Sequence, residues 1–247
     1  LNQFVMAHRI FIALCFMGLL LSYTSDAQSW MKECIKGEGE VVKQDISLES
    51  LKGIDLAFDG DVIITPGSTQ KITIEGQKNI IDNIKKDVRD GIWHIAFDKN
   101  VKEAKDVTVF ITLPELEELA LSGSGSIKSA GKFSALKDVE IAMSGSGDIE
   151  FDYEAKSTDL RLSGSGEIDL SGASKSLSIA ISGSGDVTTK DLVTEDCSVH
   201  ISGSGDASVQ ANKNLDIHIS GSGDVTYAGS ASVVSKISGS GEVNKIR

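Results

Sequence analysis

Six carboxylates stand at nearly constant intervals in the second half of this sequence. Asp148, Glu167, Asp186, Asp206, Asp224 and Glu242 each come four positions after the start of a Ser-Gly-Ser-Gly phrase. Gathered into one column, they would offer clustered oxygen ligands of the kind calcium favours. Stacked ~4.8 Å apart, neighbouring charges would repel by about 0.9 kcal/mol in water and by several-fold more where water is excluded. The alternative is that each carboxylate accepts a backbone N–H of its own turn and faces water, and turn chemistry favours this arrangement. Calcium-binding nonapeptide repeats are shorter and place their aspartates differently. The six are therefore weak metal candidates, and no cofactor is expected.

A second column lies two positions before each phrase and reads Ala120, Ala142, Arg161, Ala180, His200, His218 and Lys236. It makes His200 and His218 neighbours in space although they are far apart in sequence. Two imidazoles could begin a zinc site, but a stable site takes three or four ligands, and Lys236 beside them repels a cation. The paired serines of the phrase would form either an ordered hydroxyl surface for a sugar or for ice, or ladders that satisfy the turns, and the second is the usual arrangement. Cys197 has inward parity and reads as a core thiol. A bond from it to Cys34 would need Cα atoms within ~7 Å. Ser134-Ala135-Leu136-Lys137 matches a catalytic Ser-x-x-Lys pattern, but four residues in a chain rich in both types match by chance. No Gly-x-Ser-x-Gly, His-Glu-x-x-His or phosphate-binding glycine loop occurs.

The repeat must position these groups. Ser-Gly-Ser-Gly begins at Ser122, Ser144, Ser163, Ser182, Ser202, Ser220 and Ser238, at spacings between 18 and 22 residues. A period near 20 is the mark of a solenoid. One place before the phrase stand Leu121, Met143, Leu162, Ile181, Ile201, Ile219 and Ile237. Three before it stand Leu119, Ile141, Leu160, Ile179, Val199, Ile217 and Ser235. Five after it stand Ile127, Ile149, Ile168, Val187, Ala207, Val225 and Val243. These places share one parity, as the period-2 geometry of strands requires. No copy carries a 3.6-residue apolar stripe, which excludes helical solenoids, and the asparagine and second leucine of leucine-rich repeats are missing. An all-β fold remains, a parallel β-helix with coils of roughly 20 residues.

Residues 28–114 read as a less regular β-rich cap and first coils, and 115–247 as the regular helix, in one continuous domain. Phe58-Asp59-Gly60-Asp61-Val62 looks like a shortened repeat phrase, and Thr65-Pro66-Gly67-Ser68 like a turn. Ile80, Ile81 and Ile84 predict a short helix. Asp90-Gly91 predicts a type I′ hairpin between Val88 and Trp93, and Val107 to Leu113 a strand. Residues 1–27 read as an export signal. His8-Arg9 precede an apolar run from Ile10 to Leu21, and Ser25-Asp26-Ala27 places small residues before a cut. Cys15 lies within that run. The run is short for a membrane span, which needs ~20 residues, so no integral membrane segment is expected after removal.

The 247 residues carry a formal charge of −12, with 25 glycines, 2 prolines and only 5% aromatic residues. A binder of nucleic-acid phosphates should be basic, so that class is excluded. The residues quoted also resemble a family. Lys36-Gly37-Glu38-Gly39, Gly60-Asp61-Val62, Asp90-Gly91-Ile92, Leu113-Pro114 with Leu116, and the Ser-Gly-Ser-Gly-Asp phrases are similar in order to the head GIN domain proteins, DUF2807. That resemblance spans nearly all the chain beyond Trp30. It implies a right-handed β-helix and an adhesin-like role, and it supplies no catalytic residues. Some parallel β-helices cleave polysaccharides in clefts built from long loops, but coils of 18 to 22 residues leave no room for them. The expectation is an exported, non-catalytic interaction or structural module at the surface or in the periplasm, with a surface protein or glycan as partner. Carbohydrate binding is the alternative, and polysaccharide cleavage comes third. Polar Asn244, Lys245 and Arg247 at the last coil predict an edge protected by charge and a monomeric protein.

Overall fold

The computed structural model describes residues 34–246, so the expected export signal and Cys15 lie outside the described residues. The first part comprises β1 (Cys34–Lys36), β2 (Val41–Ile46), β3 (Gly53–Leu56), β4 (Asp61–Pro66), β5 (Lys71–Gln77), helix α1 (Lys78–Asp82), β6 (Val88–Arg89), β7 (Ile92–Ile95), β8 (Asn100–Glu103) and β9 (Thr108–Leu113). The regular part comprises β10 (Glu118–Leu121), β11 (Ser126–Ser129), β12 (Phe133–Met143), β13 (Asp148–Leu162), β14 (Glu167–Ile181), β15 (Asp186–Gly203), β16 (Ala207–Gly221), β17 (Val225–Ala228), β18 (Ser232–Gly239) and β19 (Val243–Lys245).

Alternation of apolar and polar residues turns each of these strands into a two-faced element, and stacking in parallel buries one face of every copy. The result is a β-solenoid. Leu162 pairs with Ile181, Ile181 with Ile201, Ile201 with Ile219, and Ile219 with Ile237, so the column read one place before the phrase is a physical stack. Leu121, Leu162, Ile181, Ile201 and Ile219 are buried, as are Leu160, Ile179, Val199 and Ile217 in the column three before the phrase. Ile149, Ile168, Val187 and Val225 fill the column after it. Each such side chain, fully buried, contributes about 1.5–3 kcal/mol relative to exposure.

The solenoid begins below the first Ser-Gly-Ser-Gly. Ile54 lies under Leu119 and Val62 under Ile127, so β3 and β4 form a coil beneath β10 and β11. Phe58 holds the place of the first corner glycine, where it stacks on Phe97 with ring centroids 4.1 Å apart. Below β4 the pairing changes character. β9 is parallel to β4, but β5 runs antiparallel to β9 and β2 antiparallel to β5. The short α1 buries Ile80 and Ile81 there, as the isoleucine spacing predicts. Asp90 (φ 52°) and Gly91 (φ 83°) both take positive φ between β6 and β7, which is the type I′ hairpin expected of Asp-Gly.

One interior feature is invisible in the apolar columns. Tyr153 Oη lies 2.9 Å from Thr158 Oγ1, and Thr158 Oγ1 lies 2.9 Å from Ser174 Oγ, which donates to Ser176 O at 2.9 Å. Burial pushes the Tyr153 phenol far up, so it stays a neutral hydrogen-bonding group. The chain of hydroxyls satisfies polar groups that would otherwise be costly inside the solenoid.

Parity gives a direct test. Ile201 is 2% exposed, while His200 beside it faces out. Replacing Ile201 by Asp should lower stability by several kcal/mol in urea unfolding, because it buries an unpaired charge between coils. His200→Asp should cost little. Equal losses would show that the two faces are exchanged.

Candidate functional site

The carboxylate ladder exists, and its hydrogen bonds differ from the own-turn arrangement. Asp206 N–H donates to Asp186 Oδ1 (3.1 Å), Asp224 N–H to Asp206 Oδ1 (2.7 Å) and Glu242 N–H to Asp224 Oδ1 (2.7 Å). Each carboxylate thus accepts from the next coil. Asp148 and Glu167 lie lower in the same column without such a bond; there the amides of Glu167 and Asp186 donate to the Gly147 and Gly166 carbonyls. Backbone amides therefore take up part of the charge for which a cation would otherwise be needed.

His200 and His218 do become neighbours. Their rings stack at 4.8 Å between centroids and 4° between planes. Ring-nitrogen lone pairs lie in the ring plane, so two parallel rings at that distance do not converge on one ion held at ~2.0–2.1 Å. His218 Nε2 instead meets Asp216 Oδ1 at 3.1 Å. Cys197 is a buried thiol, pushed up to about 12 by burial, which leaves it unreactive. Ser134 and Lys137 flank a bulge where Ala135 has φ 60°. At the base of the solenoid, Ser122 Oγ donates to Asp55 Oδ1 (3.3 Å) while His94 Nδ1 meets Asp55 Oδ2 at 2.7 Å. The three residue types of a hydrolase triad are present in the wrong order. The carboxylate sits between hydroxyl and imidazole, so the histidine is not placed to take the serine's proton.

The largest concave feature among the described residues is a trough of about 1040 Å³ that crosses the coils along the solenoid axis. Its walls are two outward columns that the sequence reading left unexamined. Six places before the phrase stand Asp138, Ser157, Ser176, Asp196, Asn214 and Ser232; four places before it stand Glu118, Glu140, Asp159, Ser178, Ser198 and Asp216. Six coils at ~4.8 Å make the walls ~24 Å long. The same alignment that revealed the histidine column, read two and four positions earlier, would have shown them. Polar side chains inside the trough are ordered by their neighbours. Arg161 bridges Glu140 and Asp159, Ser157 Oγ donates to Asp138, and Asn214 Nδ2 donates to Asp196 Oδ1 at 2.6 Å. Lys137 is the one cation among its lining residues, and no aromatic side chain lines it.

Comparison with known proteins places this architecture. The family profile described as "putative auto-transporter adhesin, head GIN domain", DUF2807, matches residues 50–231. The chain belongs to that family. This head GIN protein is also similar in fold to solved structures of low identity. A structure described as a putative adhesin from Bacteroides fragilis is 21% identical with a TM-score of 0.78, covering 86% of this chain and 100% of its own. One described as a putative lipid binding protein from Parabacteroides distasonis is 24% identical with a TM-score of 0.72, covering 87% and 100%. A putative adhesin from Parabacteroides merdae is 20% identical with a TM-score of 0.67, again covering 87% and 100%. No functionally curated protein gives a significant match.

Charge crowding in the trough has a measurable consequence. Partial burial, then Glu140, then Asp55 hold the Glu118 carboxyl above its ordinary range. A carboxyl with a raised folded pKa binds its proton more tightly when folded, so its ionisation weakens the fold as pH rises through that range. Glu118→Gln in the head GIN protein should therefore raise the melting temperature at neutral pH by a few degrees at most. The gain should vanish at acidic pH, where wild-type Glu118 is protonated. A melting temperature lowered at pH 7 would contradict this.

Proposed function

We propose that this head GIN protein is an exported, non-catalytic interaction module that holds an extended, basic segment of a surface or periplasmic protein in its trough. The observation that carries the reading is the trough itself, long and lined by carboxylates and hydroxyls with a single lysine. An extended strand advances ~3.3–3.4 Å per residue, so ~24 Å accommodates about seven residues. Carboxylates already held by Arg161, Ser157 and Asn214 are pre-ordered, which lowers the entropic cost of engaging a partner. The order of Ser122, Asp55 and His94 supports a role without hydrolysis. Among the described residues no helix is long and apolar enough to cross a membrane. Export rests on the apolar run from Ile10 to Leu21 and on the adhesin description of the family.

The serine columns support a second reading, carbohydrate binding. Ser144, Ser163, Ser182, Ser202 and Ser220 are exposed, and among the described residues only Ser122 of that column has its hydroxyl bonded to protein. These hydroxyls do not form the self-satisfying ladders usual in solenoid corners, so they face outward available to a polar ligand.

The two readings separate by titration of a seven-residue peptide alternating Lys and Ser, together with a screen on neutral and acidic glycans. The first expects peptide affinity to fall at least tenfold in Asp138→Lys/Asp196→Lys and less than twofold in Asp148→Lys/Glu167→Lys, which carries the same charge change outside the trough. Equal losses in both variants would reduce the attraction to net charge and sink the trough. Glycan retention abolished by Ser202→Ala/Ser220→Ala would favour the second reading, and released sugar products would overturn both.

A further inference from the structure

The same six residues, Ser-Gly-Ser-Gly-Asp-Val, occur as Ser182–Val187 and as Ser220–Val225, and they fold differently. In the first copy, strand pairing with the coil above stops at Ile181, and pairing with the coil below resumes at Asp186, whose N–H donates to Gly166 O (3.1 Å). In the second, pairing runs on through Ser220 and Gly221 and resumes only at Val225. There the Asp224 N–H has turned to Asp206 Oδ1 (2.7 Å), and Val225 N–H donates to Glu242 O (2.9 Å) in the coil above. Gly221 has φ 149°, and Gly203 (152°) and Gly239 (145°) match it, whereas Gly123, Gly145, Gly164 and Gly183 lie outside that region. Strand β15 contains the boundary: it starts at Asp186 in one arrangement and ends at Gly203 in the other.

Identical local sequence cannot choose between two backbones, so the neighbouring coil must. All three coils in the second arrangement, those of Asp206, Asp224 and Glu242, stand on an aspartate whose carboxylate receives their amide. The corners below them stand on other groups at the boundary: Asp186 is paired over Glu167, a side chain one methylene longer. Adjacent corners share the extra paired residues Ser202 with Ser220 and Ser220 with Ser238, so each arrangement spreads as a block rather than coil by coil. The corner containing Glu167 has Asp148 beneath it, yet it lies below the Glu167-to-Asp186 step and stays with the lower block.

We propose that the Ser-Gly-Ser-Gly corner is a two-position slide, and that an aspartate in the coil below locks it in the shifted position. In that position Asp186, Asp206 and Asp224 are tied to backbone amides; in the other, as at Asp148 and Glu167, the carboxylates are left to solvent. A ligand that draws the ladder carboxylates outward therefore moves the boundary up the solenoid, changing two residues of pairing per coil. The slide is a conformational device of the ladder column and does not depend on the trough reading.

Crystal structures of the wild type and two variants test it. Glu167→Asp should carry the shifted arrangement one coil down, with Ser182 paired to Ser202 and Gly183 φ moved to near that of Gly203, +152°. Asp206→Ala should return the corner above it, with Gly221 leaving the positive region and Asp224 N–H bonded to Gly205 O. Asp206→Asn keeps an oxygen acceptor and should leave Gly221 as it is. Wild-type copies of Ser-Gly-Ser-Gly-Asp-Val found in one conformation, or a Gly183 unmoved in Glu167→Asp, would overturn the proposal. If Asp206→Ala does not fold, the wild-type and Glu167→Asp structures still decide it.

Discussion

At each corner of the solenoid, backbone lies directly on backbone. A Cβ built on Gly145 would lie 1.8 Å from Gly123 O, one on Gly164 2.2 Å from Gly145 O, and one on Gly183 2.4 Å from Gly164 O. The second glycine of each phrase meets the same obstacle, with Gly147 2.0 Å from Gly125 O and Gly185 2.4 Å from Gly166 O. No side chain fits in that space, whatever its rotamer. The contact lets the corners bond to each other, as in Ser184 N–H to Gly164 O at 3.0 Å, and fixes the register of everything between corners.

Fixed register converts sequence period into spatial columns. Apolar columns become the core, and outward columns become surfaces whose composition is set coil by coil without disturbing the fold. The trough, the histidine stack and the carboxylate ladder are three such columns or pairs of columns. Their chemistry differs because outward positions are free of the packing constraint that keeps Ile179, Val199 and Ile217 aliphatic. At the top of the described solenoid that constraint relaxes. Ser235 replaces an aliphatic, Ile237 is 42% exposed, and Lys245 stands over the Tyr227 ring at 5.8 Å, consistent with an edge blunted by polar groups.

The period and parity of the phrase made the β-solenoid and its three core columns legible before any coordinates, because close packing leaves few choices at those places. The Asp90-Gly91 hairpin and the helix at Ile80 and Ile81 were legible for similarly local reasons. What escaped was set by neighbours in space. The trough depends on curvature across six coils, which no single repeat encodes. The Tyr153–Thr158–Ser174 chain joins residues whose column reads as ordinary strand positions. The ladder aspartates accept amides from the next coil instead of their own turn, and the two corner arrangements share one hexapeptide, so local turn chemistry had no means of separating them.

The central claim is that glycine is required at the corners by contact between coils, not by chain flexibility. Equilibrium urea unfolding of Gly164→Ala tests it most directly, with Gly76→Ala as control, since a Cβ at Gly76 would meet Ile81 Cγ1 at an ordinary 3.5 Å. The account predicts a loss of several kcal/mol, or failure to fold, for Gly164→Ala and a change within about 1 kcal/mol for Gly76→Ala. A Gly164→Ala protein as stable as the wild type would contradict it.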